Sequence, residues 1–293
     1  MKYAAIFLTA ITVGALLYTE LNHITKDVSP VPQHIRAHFL RWKLKQSKFY
    51  KTPSEDNYRL SVFHKNVLHI KAHNARNTRY TLEVNKFADL TTEEFTAMYA
   101  SSIVAPKTEE KVMSNLKTEG LPETVDWVKR GAVTPVQTDD IKCLVAWAFS
   151  ATGAMEGLRA IQGHGLVKLS EQQLVDCTGP YGNGGCSGGY AYRSFLYVIK
   201  NGIESYANYP YKGHQGNCDG TLANKAYQID GYIWIPKYNN PQLQAAVAQQ
   251  PTTTILDHTG LQFYKSGIID HGCGQNIYHA VLLVGYGVDG IPY

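Results

Sequence analysis

Residues 143–150 read Cys-Leu-Val-Ala-Trp-Ala-Phe-Ser and lead into the clearest helical segment of the chain. Residues 147–161 are rich in Ala, Met, Glu and Leu, a composition that predicts a helix. Ser170, followed three residues later by Gln173, is a capping pattern that predicts a second helix leading into Cys177. This part of the chain is therefore expected to be helical.

The sequence that follows has a different pattern. Six glycines between residues 179 and 189 predict an irregular loop. After Tyr227, the residues Ile, Tyr, Val and Leu alternate with polar residues, which predicts strands. The last predicted strand begins at His279 and continues as Ala-Val-Leu-Leu-Val-Gly-Tyr-Gly. A helical part is thus expected to be followed by a strand-rich part.

Residues 35–96 form a separate helical segment with many charges. Six of its residues follow one another at spacings of 4, 4, 3, 4 and 4, which places them on one stripe of a long helix: Glu55, Arg59, Phe63, Asn66, Ile70 and Asn74. Because the stripe mixes charged, amide and apolar groups, we expect a docking surface with polar partners. The helix is expected to begin near Pro53 with Ser54 as its N-cap, and Thr91 with Glu94 predicts the start of another helix.

The domain boundaries follow from changes in composition. From about Ser101 to Gly120 the chain loses periodicity and carries scattered charges, so we expect residues 97–120 to be an exposed linker that contains an activation region. Residues 121–293 are expected to form the main unit. At the other end, a basic start followed by a short apolar run predicts a cleaved signal peptide over residues 1–20. A membrane anchor remains the alternative, because no clear small-x-small cleavage site is present.

The overall composition is that of a folded globular protein, with 44% hydrophobic and 18% charged residues. The net charge is only +4, and Lys and Arg are scattered along the chain. This argues against a nucleic-acid partner and against a membrane partner after signal cleavage. The histidines lack the spacing of a metal site, and no phosphate-binding or dinucleotide-binding motif is present, so neither a metal nor a cofactor is expected.

Taken together, these segments closely resemble the papain family of cysteine proteases, and cathepsin L-like precursors in particular. The resemblance rests on the helical stripe of residues 55–74 and on a series of shorter matches: Asn85, Phe87 and Asp89, the stretch 121–127, Gly131-Ala-Val-Thr-Pro-Val, Trp147-Ala-Phe-Ser, the stretch 169–177, Cys186-Ser-Gly-Gly and His279-Ala-Val. It implies an α+β, papain-like two-lobed fold, with a helical lobe and a partial β-barrel lobe, preceded by a mainly helical inhibitory propeptide.

The resemblance also implies how the cysteines are used. The expected disulfide bonds are Cys143–Cys186 and Cys177–Cys218. Cys273 is left over, and the cysteine that it bonds in the family would lie beyond Tyr293, as would the asparagine that orients the catalytic histidine. These are expectations carried over from the family.

In the family, a cysteine at the head of the central helix attacks the peptide carbonyl, and a histidine activates it. His279 matches that histidine. Ala146 stands where the nucleophile is expected, directly before Trp147. A methyl group cannot attack a carbonyl, so the resemblance predicts a degenerate catalytic site.

A second departure concerns the glutamine whose amide stabilises the oxyanion in the family. Counting back from Ala146 places Asp140 at that position, and counting forward from Pro135 places Asp139 there. Either carboxylate accepts hydrogen bonds without donating them and would repel the developing oxyanion.

The peptide-binding residues of the family are better matched. Gly188 and Gly189 correspond to the glycines that pair with an extended peptide, and the positions that line the groove and its main pocket are Tyr190, Ala191, Tyr278 and Ala280. The expected ligands are therefore peptide or protein segments and the chain's own propeptide in the groove.

Three hypotheses follow for the function. The first and favoured one is a catalytically inactive papain-like homologue that retains peptide binding. The second is an active cysteine endopeptidase in a lysosome-like or extracellular space, and the third is a truncated, non-functional product. In each case we expect a monomer that enters the secretory pathway and reaches the extracellular space or a lysosome-like vesicle.

Overall fold

A computed structural model of the chain describes residues 31–76, 78–98, 113–137, 143–219, 226–275 and 279–293. Two compact units are present, and each is considered by itself. Unit 1 comprises the described residues of Met1–Thr91 together with Phe263–Ser266, and unit 2 comprises those of Thr92–Gln262 and Gly267–Tyr293. The predicted signal peptide lies outside the described residues. Across the described ranges, no helix combines the length and the apolar character needed to cross a membrane.

Unit 1 is built on two helices, α1 (Gln33–Lys45) and α2 (Pro53–Asn74). A short strand, β1 (Tyr80–Leu82), follows α2 and pairs with β4 (Tyr264–Gly267). The apolar faces of the two helices meet in a small core that contains aliphatic and aromatic side chains: Ile35, Phe39, Trp42, Leu60, Phe63, Val67 and Ala88. This unit is the mainly helical segment that the sequence predicts.

Helix α2 begins at Pro53, as the sequence predicts, but its N-cap lies two residues before the predicted one. Thr52, and not Ser54, is the N-cap, because the Thr52 hydroxyl accepts a hydrogen bond from the backbone N–H of Glu55 at 3.1 Å. Pro53 then occupies the first helical position, where its missing N–H costs nothing. The prediction of Ser54 as the cap was therefore wrong.

The polar members of the helical stripe on α2 contact the chain segment that follows the helix. Arg59 donates to the carbonyl oxygen of Asp89 at 3.0 Å, and the Asn66 amide donates to those of Ala88 and Leu90, both at 2.9 Å. Asn74 exchanges two hydrogen bonds with the backbone of Leu82. Phe63 and Ile70 are buried between these contacts. The stripe therefore holds residues 82–90 against its own helix.

Unit 2 begins with α3 (Thr92–Met98) and contains four further helices: α4 (Ala146–Arg159), α5 (Glu171–Cys177), α6 (Ala191–Asn201) and α7 (Asn240–Gln249). Helix α4 ends in a wide turn, Ala160–His164, where Gly163 has a φ of 83°. Ser170 caps α5 by accepting from the N–H of Gln173 at 2.9 Å, as the sequence predicts.

The strands of unit 2 form antiparallel pairs, and most of them lie in its second half. Strand β3 (Thr252–Leu256) pairs with β5 (His279–Leu283), and β2 (Val125–Asp126) pairs with β6 (Gly285–Tyr286). A third pair joins β7 (Val288–Asp289) to β8 (Ile291–Pro292). Helices predominate in the first half and antiparallel strands in the second, which confirms the α+β class.

The main core of unit 2 surrounds α4. Trp147, Ala148, Ala151 and Met155 are buried on one side of that helix. They pack with apolar residues from the neighbouring segments, which include Val145, Leu169, Leu174, Val175, Val198 and Ile203. The head of α4 is therefore anchored from several directions, and its position is determined by packing.

Candidate active site

Ala146 is the first residue of α4. The residue before it, Val145, is the N-cap and has no side-chain capping hydrogen bond. The first N–H groups of a helix carry a partial positive charge, and a side chain at this position lies in that field. The site therefore provides the electrostatic setting that favours an anion, while the side chain at its centre is a methyl group.

A disulfide bond fixes the approach to this helix. Cys143 is bonded to Cys186, and the N–H of Leu144 donates to the Cys186 carbonyl oxygen at 2.9 Å. A second disulfide bond joins Cys177 to Cys218. Both are the pairs that the resemblance implies, and Cys273 is a free, exposed thiol.

His279 is the first residue of β5, which lies along α4. The Ser150 hydroxyl in α4 donates to the Val281 carbonyl oxygen in β5 at 2.7 Å. Ala146 precedes Ser150 by one helical turn, about 6 Å, and His279 precedes Val281 by two strand residues, also about 6–7 Å. Further along, Gly153 of α4 faces Leu282 of β5, so the two elements run in the same direction. Ala146 and His279 therefore lie at the same end of the α4–β5 pair.

His258 lies beside His279, and sequence reasoning missed it. Their ring centroids are 5.5 Å apart, and the ring centroid of Phe95 in α3 lies 5.6 Å from that of His258. His258 is buried, and burial lowers its pKa, which favours the neutral imidazole. A signal for His258 was present in the sequence, because this histidine comes two residues after the end of β3. The last residue of that strand, Leu256, pairs with His279 at the start of β5.

The predicted glycine loop leads directly from the disulfide to α6. Gly188 has a φ of 115°, a backbone conformation that residues with a side chain rarely adopt. A Cβ atom on Gly189 would lie 2.6 Å from Asn183 Oδ1 and 2.7 Å from the Trp147 ring. The Asn183 side chain also accepts a hydrogen bond from the N–H of Tyr190 at 2.8 Å. The loop therefore packs against the helix that begins with Ala146.

Of the predicted groove residues, Ala191 begins α6, and Ala280 follows His279 in β5. Both pack against the core cluster that contains Trp147. Tyr190 is half-buried, with the Arg193 guanidinium 5.2 Å from its ring centroid. Asp140, Asp139 and Tyr278 lie outside the described residues.

Alternative nucleophiles near Ala146 are occupied by other roles. The Ser150 hydroxyl is buried and bonded to Val281, and Cys143 is in its disulfide bond. Among the described residues, no cluster of three or more His, Cys, Asp or Glu side chains is arranged to hold a metal ion. The described part of the site therefore contains a histidine near the head of a helix and a glycine-lined loop.

Two family profiles match the sequence. Residues 121–293 match the papain family cysteine protease profile, and residues 39–95 match the cathepsin propeptide inhibitor domain. Caricain from Carica papaya is 39% identical over 86% of this chain and 73% of its own length. The probable cysteine protease RD21B from Arabidopsis thaliana is 36% identical over 96% of this chain. This chain spans 62% of the length of RD21B.

Solved structures show the same fold. The recombinant stem bromelain precursor aligns with a TM-score of 0.78 and 35% identity, covering 88% of this chain and 84% of that one. Digestive procathepsin L 3 from the Tenebrio molitor larval midgut aligns with a TM-score of 0.75 and 33% identity, covering 88% and 86% of the two chains. The fold of this protein is therefore papain-like, and the chain belongs to the papain family of cysteine proteases, with a cathepsin propeptide inhibitor domain ahead of its protease domain.

Proposed function

We propose that this protein binds extended peptide segments without hydrolysing them. The observation that carries the proposal is the alanine at the head of α4. Acyl transfer in this family needs a thiolate there, and the positive field of a helix N-terminus is the device that lowers a thiol pKa. Ala146 has no ionisable or nucleophilic atom, so the positive field of the helix N-terminus cannot generate a nucleophile at this position.

The other groups near the site do not replace the missing sulfur in this proposal. The Ser150 hydroxyl lies a full turn into the helix and donates a hydrogen bond to the Val281 carbonyl oxygen at 2.7 Å. His279 has the correct place in the strand to exchange protons, but proton transfer alone does not form an acyl intermediate. An aspartate at residue 140 or 139 in place of an amide donor would lower the rate further, by about a hundredfold.

Peptide binding is supported by the glycine loop. Among the described residues, neither the N–H nor the C=O group of Gly189 takes part in a hydrogen bond. Two such groups on one residue are what an added extended strand needs for pairing. The missing Cβ at Gly189 leaves the backbone open to close approach, with Tyr190, Ala191, Tyr278 and Ala280 proposed as the groove and pocket residues.

We also propose the arrangement of the precursor. Residues 1–20 act as a signal peptide, residues 35–96 as the inhibitory propeptide, residues 97–120 as the linker and residues 121–293 as the protease-like domain. By likeness to the solved bromelain precursor and procathepsin, the chain's own propeptide is a ligand of the groove. The product enters the secretory pathway and reaches the extracellular space or a lysosome-like vesicle.

The catalytic half of the proposal is tested with the purified protein after limited proteolysis has removed the proposed propeptide and linker, residues 1–120. The reagents are a fluorogenic peptide and an epoxide-bearing peptide probe. We expect no hydrolysis and no covalent adduct within the groove. Because Cys273 is an exposed free thiol, the same reactions are run on Cys273→Ser to separate its labelling from that of the site. Hydrolysis through an acyl adduct in either protein would establish the alternative, an active endopeptidase.

The binding half is tested separately on the same processed protein, by fluorescence anisotropy with a labelled peptide that copies residues 97–112. We expect saturable binding that Tyr190→Ala weakens about tenfold, whereas Tyr238→Ala, a change at an exposed tyrosine of unit 2, leaves it unchanged. Absence of binding by a folded protein would overturn this half and favour the alternative of a non-functional product.

A further inference from the structure

Helix α1 carries an exposed surface that mixes leucine and cationic side chains. Its opposite face is buried in the core of unit 1 through Ile35, Phe39 and Trp42. On the outer face, Leu40 is 57% exposed and Leu44 is 82% exposed. Three exposed basic side chains accompany the leucines, and together they form what we call the α1 patch: Arg36, Leu40, Arg41, Leu44 and Lys45.

The helical spacing makes this patch continuous. Arg36, Leu40 and Leu44 follow one another at intervals of four residues and share one stripe of α1. Arg41 and Lys45 form a neighbouring stripe one residue further round the helix. The two leucines are therefore bordered by cations. Just beyond the helix, the Phe49 side chain is 85% exposed.

The charge around the patch is strongly one-sided. Residues 31–51 contain no Asp or Glu, and they contain six basic residues: Arg36, Arg41, Lys43, Lys45, Lys48 and Lys51. Lys43 is paired with Asp56, and Lys48 is paired with the buried Asp89. Across the described ranges, the three cations of the α1 patch form no ion pair. Their charge is therefore available to an external anion.

We infer that the α1 patch docks unit 1 on the surface of an anionic lipid bilayer. Basic side chains attract a negatively charged membrane surface, and apolar side chains that project between them enter the boundary between headgroups and acyl chains. The patch is the convex outer face of a helix. A bilayer adapts to such a face, whereas an acidic protein would need a groove shaped to receive Leu40 and Leu44.

The small net charge of the whole chain had argued against a membrane partner. The net charge includes the acidic residues of both units, whereas the electrostatic attraction to a surface depends on the charges within about 10 Å of that surface. The local segment is therefore the relevant one, and residues 31–51 carry no acidic side chain.

The inference is tested by co-sedimentation of the full chain with phosphatidylcholine vesicles, with and without about 30% phosphatidylserine. We expect preferential binding to the anionic vesicles and loss of that preference at high salt. The triple variant Arg36→Glu/Arg41→Glu/Lys45→Glu is expected to lower the affinity on the order of a hundredfold, because each basic residue contributes about fivefold. Leu40→Ser/Leu44→Ser is expected to lower it about tenfold.

Matched changes on the other helix of unit 1 serve as controls. Leu68 is 52% exposed, and Lys65 is exposed, so Leu68→Ser and Lys65→Glu make the same chemical changes outside the patch and should leave binding unchanged. Circular dichroism is used to check that each variant is folded. Residues 1–30 are identical in all variants, so any contribution from that segment is common to them.

Two results would overturn the inference. The first is equal binding of the parent and the patch variants to anionic vesicles, as expected if another segment or a second copy of the chain covers the patch. The second is patch-dependent binding to soluble polyglutamate without any preference for vesicles, which would indicate an acidic protein partner.

Discussion

The hydroxyl of Ser150 donates a 2.7 Å hydrogen bond to the carbonyl oxygen of Val281, and this contact ties α4 to β5. One turn further along the packed pair, Gly153 faces Leu282 so closely that a Cβ atom would lie 2.7 Å from a leucine methyl carbon. The helix and the strand therefore have one permitted alignment. That alignment brings Ala146 and His279 to the same end.

Replacing Ser150 with alanine should destabilise unit 2. The change leaves the Val281 carbonyl group without this donor, at a cost of about 1–3 kcal/mol in the free energy of unfolding. Urea unfolding followed by circular dichroism measures the loss. Ser61→Ala is the matched control, because the Ser61 hydroxyl bonds within its own helix on an exposed face and its removal should cost little. An unchanged unfolding midpoint for Ser150→Ala would show that the contact contributes nothing.

Ala146→Cys should restore a reactive thiol at the head of α4. The helix N-terminus and the facing histidine are expected to lower the thiol pKa, so alkylation by iodoacetamide should be faster than that of an ordinary thiol at neutral pH. The experiment is made in a Cys273→Ser background, and mass spectrometry locates the adduct. Peptide hydrolysis should remain weak if the carboxylate at residue 140 or 139 opposes the oxyanion. Alkylation no faster than that of free cysteine would contradict the electrostatic account of the site.

Glu171 should make unit 2 less stable as pH rises. Its side chain is buried, with the Thr152 hydroxyl 3.5 Å from one carboxyl oxygen, and burial raises its pKa from 4.5 to about 7. The folded protein therefore binds this proton more tightly than the unfolded chain does. The contribution is fully present below about pH 4.5 and is lost as pH rises through about 7, by about 3 kcal/mol in all.

Glu171→Gln should remove most of this slope and stabilise the protein near pH 8, because a neutral amide stays in the same pocket. Urea unfolding at about pH 5 and about pH 8 measures the difference. Burial raises the pKa of Glu156 as well, so part of the slope should persist in the variant. Glu123→Gln, at an exposed position, is the control for the substitution itself. A parent protein whose stability rises between the two pH values would contradict this prediction.

Removing the Cys177–Cys218 disulfide bond with Cys177→Ser/Cys218→Ser should lower the free energy of unfolding by about 4 kcal/mol. The bond closes a loop with a sequence separation of 41 residues, and the loss arises from the greater freedom of the unfolded chain. Cys273→Ser should have no comparable effect, since that thiol is exposed and unbonded. Denaturant unfolding without reductant compares the two. Equal stability of the double variant and its parent would contradict the prediction.

Local sequence patterns predicted the elements that depend on nearby residues. The helix that begins beside Trp147 and the Ser170 cap both follow from side-chain and backbone contacts within one turn. The cap of α2 was predicted two residues late, because both Thr52 and Ser54 carry a suitable hydroxyl. Only the actual backbone path around Pro53 selects one of them.

The sequence by itself determined the chemical identity of the site: a methyl group at residue 146, a histidine at residue 279 and glycines at residues 188 and 189. Tertiary structure alone decided which groups meet across long sequence separations. It placed His258 against His279, turned the stripe of α2 toward residues 82–90 and left Leu40 and Leu44 exposed among cations. The physical reason is that side-chain type is a property of each residue, whereas proximity and burial depend on how distant segments pack.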